Sequence, residues 1–211
     1  MKILLLGATG LVGSHVLQQA LADERVTQVI APTRQPLNIQ HAKLQAPMLD
    51  FDDFTDVAQH WQFDAVICAL GTTMKKVKSK DAFKQVDYHY PMAFAHLAQK
   101  KGVQTYVLNS AMGADVNSPF FYSRVKGQLE QDLKQLGFGR LSFVRPGLIT
   151  GDRQEFRLGE SVGKLALKVL KPITPSKWQP NRAEDIAYVL LQQVLNLNQG
   201  INIIDASQIH R

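Results

Sequence analysis

Ile3-Leu4-Leu5-Leu6-Gly7-Ala8-Thr9-Gly10-Leu11-Val12-Gly13 is an apolar run that closes on three glycines, with two residues between each and the next. Four consecutive apolar residues suit a strand buried on both faces of a parallel sheet. Leu11, Val12, Val16, Leu17, Ala20 and Leu21 follow at helical spacing, so the stretch reads strand, tight turn, helix. Gly7 permits the turn. Gly10 lacks a Cβ, so a pyrophosphate can approach its backbone, and Gly13 lets the helix pack close to the strand. The helix then aims its free N–H groups and its positive dipole end at the phosphates. Residues 7–13, including Ala8, Thr9, Leu11 and Val12, are therefore expected to hold a dinucleotide. The alternative is a glycine-rich turn that carries no ligand.

Outward from this unit the chain keeps alternating. Strands are expected over 2–6, 26–31, 43–49, 64–70, 103–109, 140–145 and 200–204, and helices over 11–22, 52–60, 81–101, 120–136, 160–170 and 183–196. Such alternation predicts an α/β fold, a doubly wound parallel sheet with helices on both faces. Gly102 is placed to end the long helix, which Pro91 should kink or split. Residues 150–182 hold Pro172, Pro175 and Pro180 and read as a small C-terminal lid within one domain.

The chain has 211 residues, 45% hydrophobic and 20% charged, enough for one domain with a sizeable core. Cys68 is the single cysteine, so no intramolecular disulfide forms. It falls inside a buried strand pattern and reads as a core thiol. The apolar stretch at the N-terminus is too short for a signal peptide and none elsewhere spans a bilayer, from which a cytoplasmic location and no membrane partner are expected. The formal charge of +6 admits an anionic cofactor or substrate as readily as nucleic acid. Lys75, Lys76, Lys78 and Lys80 carry no interleaved aromatic platforms, so no nucleic-acid partner is expected. A solvated loop is the plainer reading of that run; a flap attracting an anionic substrate is the sharper one. The six histidines form no H-E-x-x-H and no cluster with cysteine, and no metal is expected.

Several positions extend the cofactor reading. Arg34 follows the second strand, 21 residues beyond Gly13, where an acidic residue would bind the ribose of NAD. An arginine, with Thr33 beside it, instead suits the 2′-phosphate of NADP, so NADP(H) is favoured over NAD(H). After the third strand, Asp50 suits the adenine amino group or a helix N-cap, and Phe51 could cover the ring. Ala69, Leu70, Gly71 and Thr72 close the fourth strand beside the expected crevice.

Tyr122 and Lys126 share one helix face at i and i+4, and no other of the five tyrosines is followed so by lysine. A phenol, with an ordinary pKa of about 10, needs a neighbouring ammonium to do acid–base work at neutral pH. Ser110 lies twelve residues earlier at a strand end, placed to hydrogen-bond the same substrate oxygen. The order of glycine turn, Ser110, then Tyr122-x-x-x-Lys126 points to reduction of a small-molecule carbonyl.

With Arg145-Pro146-Gly147 added, these motifs resemble the short-chain dehydrogenase/reductase superfamily in its atypical or extended branch. Cys68 to Thr73, Val125-Lys126-Gly127 and Asp152-Arg153-Gln154-Glu155 are similar to the oxidoreductase-like Tat-interacting protein group and its small bacterial relatives. The resemblance implies a Rossmann fold binding NADPH. It implies Tyr122 as general acid, Lys126 as the residue that tunes it and holds the nicotinamide ribose, and Ser110 as the group that orients the carbonyl. Pro146, Gly147, Leu148 and Ile149 would border the nicotinamide, and a homodimer would pair through 81–101 and 120–136. The superfamily often places asparagine where this chain has Asp87. Binding NADPH without turnover, as a sensor or scaffold, is the alternative function.

Overall fold

The strand Lys2–Leu6 (β1) is buried from Ile3 to Leu6 because it lies third in a seven-stranded sheet. The computed structural model describes residues 1–150, 180–196 and 198–210. The other strands of this sheet are Gln28–Ile30 (β2), Leu44–Gln45 (β3), Ala65–Cys68 (β4), Thr105–Asn109 (β5), Arg140–Arg145 (β6) and Gly200–Asp205 (β9), in the order β3-β2-β1-β4-β5-β6-β9. Every pairing in it is parallel. A separate short ladder joins Ile149–Thr150 (β7) to Asn181–Arg182 (β8). The order reverses direction at β1, and β1 and β4 part their connections at the sheet's C-terminal edge. In such sheets that crevice takes the ligand.

One face of the sheet is covered by Leu11–Ala22 (α1) and Ala183–Leu195 (α7), whose inner residues form one core with Ile3, Leu5, Ile67 and Val107. The other face is covered by Tyr90–Lys100 (α5) and Phe121–Gln135 (α6), with Leu4, Leu6, Val66, Tyr106 and Phe143 beneath them. Fully burying one such aliphatic or aromatic side chain contributes about 1.5–3 kcal/mol.

The expected strands 26–31 and 43–49 shrink to β2 and β3, yet their backbones stay paired beyond those limits. Val29, Ala31 and Thr33 donate to Lys43, Gln45 and Pro47, and Leu49 donates back to Thr33 at 3.0 Å. Pro32 and Pro47 have no N–H to give, which breaks the regular ladder and leaves the single bridge Thr33–Met48. The helix expected over 52–60 is only Thr55–Ala58 (α2), and Met74–Val77 (α3), expected as loop, is one capped turn in which Thr73 accepts from Lys76. The helix expected over 160–170 and most of the lid lie outside the described residues.

The long helix is not divided at Pro91; its winding changes ahead of that residue, and the backbone stays helical throughout. Lys80–Lys84 (α4) starts on the Ser79 cap, Gln85–His89 winds as a π turn, and α5 resumes with Pro91 in its first turn. A π turn adds one residue to the winding and re-aims the side chains that follow, a device found at functional sites. Gly102, with φ 72°, ends α5 as expected.

The π turn docks on α6 through Tyr88, whose hydroxyl donates to Asp132 at 2.6 Å. That bond, with burial and the charge of Asp132, pushes the Tyr88 phenol up to about 12. A folded pKa above the ordinary 10.0 gives stability that is complete below pH 10 and lost as pH rises toward 12. Tyr88→Phe should therefore flatten this part of the alkaline unfolding curve, and an unaltered slope would show that the bond contributes nothing.

Candidate functional site

The three glycines divide into two kinds. Gly7 holds φ 88°, and a Cβ on it would stand 2.7 Å from the Ala69 carbonyl oxygen. A Cβ on Gly13 would stand 2.0 Å from the Gly7 oxygen. These two let the tips of β1 and β4 close against α1. A Cβ on Gly10 would meet the Gly7 oxygen at 3.1 Å and nothing else nearer than 4.0 Å. Gly10 stands immediately ahead of α1 and no side chain caps the helix there, so the capping place at its N-terminus is one a phosphate could take. Ala8 and Val12 are buried beneath the turn and Thr9 is exposed on it.

Arg34 lines a cavity of about 520 Å³ together with Met48, Leu49, Asp50, Asp52 and Tyr90. Asp52 accepts from the Tyr90 hydroxyl and from Gln85, each at 3.0 Å. Burial, then that bond, pushes the Tyr90 phenol up. Thr33 is buried beside Arg34, and its hydroxyl has no partner among the described residues, an orphaned polar atom at the expected phosphate position. Asp50 does not cap α2, since that helix starts at Thr55; its carboxylate accepts from the Asp52 N–H at 3.0 Å, closing a local turn. Phe51 departs from expectation. Its ring lies in the core, edge-on to Tyr90 at 5.5 Å and to Phe94 at 5.4 Å, because an aromatic here completes the α5 face and would lose that burial over an open crevice.

Tyr122 is exposed in the first turn of α6, with its ring edge-on to Phe83 at 5.9 Å. One turn further, Lys126 is buried, and its ammonium meets the Asp87 carboxylate at 2.8 Å. Burial alone pushes a lysine down; here the charges of Asp87 and Tyr122 and the bond to Asp87 outweigh it, and Lys126 sits above its ordinary value. The other oxygen of Asp87 accepts from the Thr72 N–H at 2.8 Å. The π turn thus aims Asp87 between the end of β4 and α6, tying Gly71 and Thr72 to the lysine. Asp87 is the residue sequence reasoning left without a role. Ala69 extends the β1–β4 ladder, donating to Leu6 at 2.9 Å, and Leu70 is partly buried against the core.

Ser110 is a correction. Its hydroxyl is buried and donates to Glu130 at 2.6 Å, so the proton expected to meet a substrate oxygen is already committed. Glu130 is held in turn by Arg145 through two bonds, at 3.0 and 2.5 Å. The spacing of Tyr122, Lys126 and Glu130, four residues apart each time, was the available signal for Glu130. Gly127 lets the loop before α6 press in, since a Cβ there would stand 2.3 Å from the Asp115 carbonyl carbon. Pro146 to Ile149 lie at the end of β6, where the Pro146 carbonyl accepts from the Met112 N–H. Gly147 donates to the side chain of Asn181 at 2.9 Å, and Asn181 also donates to the Ala206 carbonyl at 2.9 Å. No sequence pattern marked Asn181. Cys68 is buried, and burial pushes its thiol up, which suits a core residue. Among the described residues there is no cluster of metal-ligating side chains and no helix long and apolar enough to cross a membrane.

Residues 7–166 match the family model described as NAD(P)H-binding. The chain belongs to the NAD(P)H-binding family. This NAD(P)H-binding protein is 32% identical over 200 residues to Protein HTATIP2 of Rattus norvegicus, covering 93% of the chain and 81% of the relative. It is 34% identical over 170 residues to Protein FMP52, mitochondrial, of Candida albicans, covering 78% of the chain and 74% of the relative. Among solved structures it is similar to MoeE5 in complex with UDP-glucuronic acid and NAD, with a TM-score of 0.76 at 15% identity, over 96% of this chain and 75% of that one. It is similar also to the oxidoreductase ylbE from Lactococcus lactis, with a TM-score of 0.65 at 20% identity, over 92% and 85% of the two chains. The NAD(P)H-binding protein is thus a relative of HTATIP2 with a Rossmann-like fold. The expected cytoplasmic location is corrected by these relatives: the FMP52 proteins of Candida albicans, Emericella nidulans and Aspergillus niger are all named mitochondrial.

Proposed function

We propose that the protein is an NADP(H)-dependent oxidoreductase that reduces the carbonyl of a small molecule. The observation that carries this reading is the Lys126 cation, buried and fixed by Asp87, one helical turn from the exposed phenol of Tyr122. A fixed charge needs no reorganisation when the reaction occurs, and it stabilises the phenolate left once Tyr122 has given its proton to the carbonyl oxygen. When bound, the reduced nicotinamide supplies the two electrons and the hydrogen that add to the carbonyl carbon. The N–H groups around Gly10 would hold the pyrophosphate, Arg34 and the orphaned hydroxyl of Thr33 the 2′-phosphate, and Pro146 to Ile149 would wall the nicotinamide end. A homodimer belongs to this reading; nucleic acid and membranes do not. Residence in mitochondria is the location that the FMP52 names support.

A second reading, dinucleotide binding without turnover, is favoured by Ser110, whose proton is engaged by Glu130. A panel of aldehydes and ketones, with loss of NADPH absorbance as readout, separates the two. The oxidoreductase reading expects NADPH consumption by the native protein. It expects a fall of about 10²-fold or more in Tyr122→Phe, the scale of a lost general acid, with NADPH affinity kept. Tighter binding of NADH than NADPH would remove Arg34 from the phosphate. Equal turnover by Tyr122→Phe would remove Tyr122 from the chemistry.

A further inference from the structure

Between Met74 and Lys84 the chain sets five lysines, Lys75, Lys76, Lys78, Lys80 and Lys84, against one carboxylate, Asp81. These residues are held in place and do not form a loose tether. Thr73 caps α3 and Ser79 caps α4. Phe83 anchors α4 with its ring fully buried, edge-on to Phe121 at 5.5 Å and to Tyr122 at 5.9 Å. The Lys80 ammonium lies over the Phe121 ring, 5.5 Å from its centre. That contact holds a cation beside the residue adjoining Tyr122, in a geometry favourable to the charge. Exposed apolar side chains flank these elements in sequence: Met74 opens α3 and Phe120 precedes α6, while Met112 is exposed on the loop bonded to Pro146. The dinucleotide reading places its phosphates on Gly10 and Arg34 and leaves this charge unused.

Building on the oxidoreductase reading, we propose that the substrate is an organic anion, an aldehyde or ketone with an apolar body whose negative group is recognised by Lys80 and the lysines flanking it. The apolar rim takes the body, Tyr122 meets the carbonyl, and the basic segment selects for charge by attraction over several ångströms. The reaction balances as before. The C=O becomes CH–OH, the carbon receiving two electrons and a hydrogen from the reduced dinucleotide and the oxygen a proton from Tyr122.

The test compares para-carboxybenzaldehyde with its neutral methyl ester at NADPH concentrations that saturate each variant. The native protein should prefer the acid by about tenfold in kcat/KM, a preference that shrinks as salt is raised. Lys80→Gln, alone and with Lys75→Gln and Lys78→Gln, should bring the acid-to-ester ratio toward one. Lys100→Gln, on the exposed face of α5, should leave the ratio as it is. A native ratio near one, or a preference that survives the triple variant, overturns the proposal, as does a triple variant altered only in NADPH affinity. Should neither compound be reduced, the wider panel of aldehydes and ketones still decides the oxidoreductase reading, and calorimetric binding of the two compounds decides the anion site. Binding of the acid alone, lost in the triple variant, upholds the anion site; equal or absent binding overturns it.

Discussion

Replacing Asp87 with alanine is expected to remove about 3–5 kcal/mol of stability, the cost of leaving one member of a buried ion pair without its partner. Lys126 is buried on α6 with Asp87 at 2.8 Å, and the alanine would strand its ammonium and the Thr72 N–H together. The double variant Asp87→Ala with Lys126→Met should recover most of the loss, since an apolar side chain of similar length suits the same space. Urea unfolding measures both. A single variant within about 1 kcal/mol of the native protein would show that water reaches the lysine, because only solvated pairs are worth so little. The sign of the pH dependence follows from Lys126. Its folded value lies above the ordinary 10.5, so the pair's contribution is complete below pH 10.5 and is lost as pH rises from there through the raised folded value. Across neutral pH the cost of Asp87→Ala should therefore be flat.

Gly13→Ala is the second large effect. The added carbon would stand 2.0 Å from the Gly7 carbonyl oxygen and 2.7 Å from the carbon behind it, both backbone atoms of a turn that is itself wedged against Ala69. No side chain can swing aside. Either α1 moves off β1 or the turn deforms, and the expected loss is about 3 kcal/mol or more, at the upper end for overfilled cores. NADPH binding should vanish with it. Gly10→Ala is the informative contrast. Its φ of −76° suits any residue, and its new carbon meets one oxygen at 3.1 Å. It should keep the fold and weaken NADPH binding, because the methyl group would occupy the space the phosphates need. If Gly10→Ala binds NADPH as the native protein does, the turn is a packing device only.

These two positions show what could be read in advance and what could not. Gly13 and its neighbours form a local pattern of strand, turn and helix, set by contacts within about ten residues, and it was legible. Tyr122 and Lys126 were legible for the same reason, a single helix face. Asp87 was visible as an aspartate, but its partner lies 39 residues away in sequence. Only the π turn, which no periodicity announces, aims it inward. Ser110 was located correctly at the end of β5. Its hydroxyl then turned to Glu130, because a buried carboxylate already bound to Arg145 attracts every nearby donor. Phe51 illustrates the opposite error: a residue beside a crevice was assigned to it, when the apolar face of α5 had the stronger claim.

Asn181 carries a mechanical consequence. One amide grips the backbone at Gly147 with its oxygen and the carbonyls of Ala206 and Ile209 with its nitrogen. The tail of the polypeptide and the rim of the crevice are thereby yoked across the sheet, like two ropes knotted at one cleat. Whatever unseats Ala206 to Ile209 slackens the rim as well.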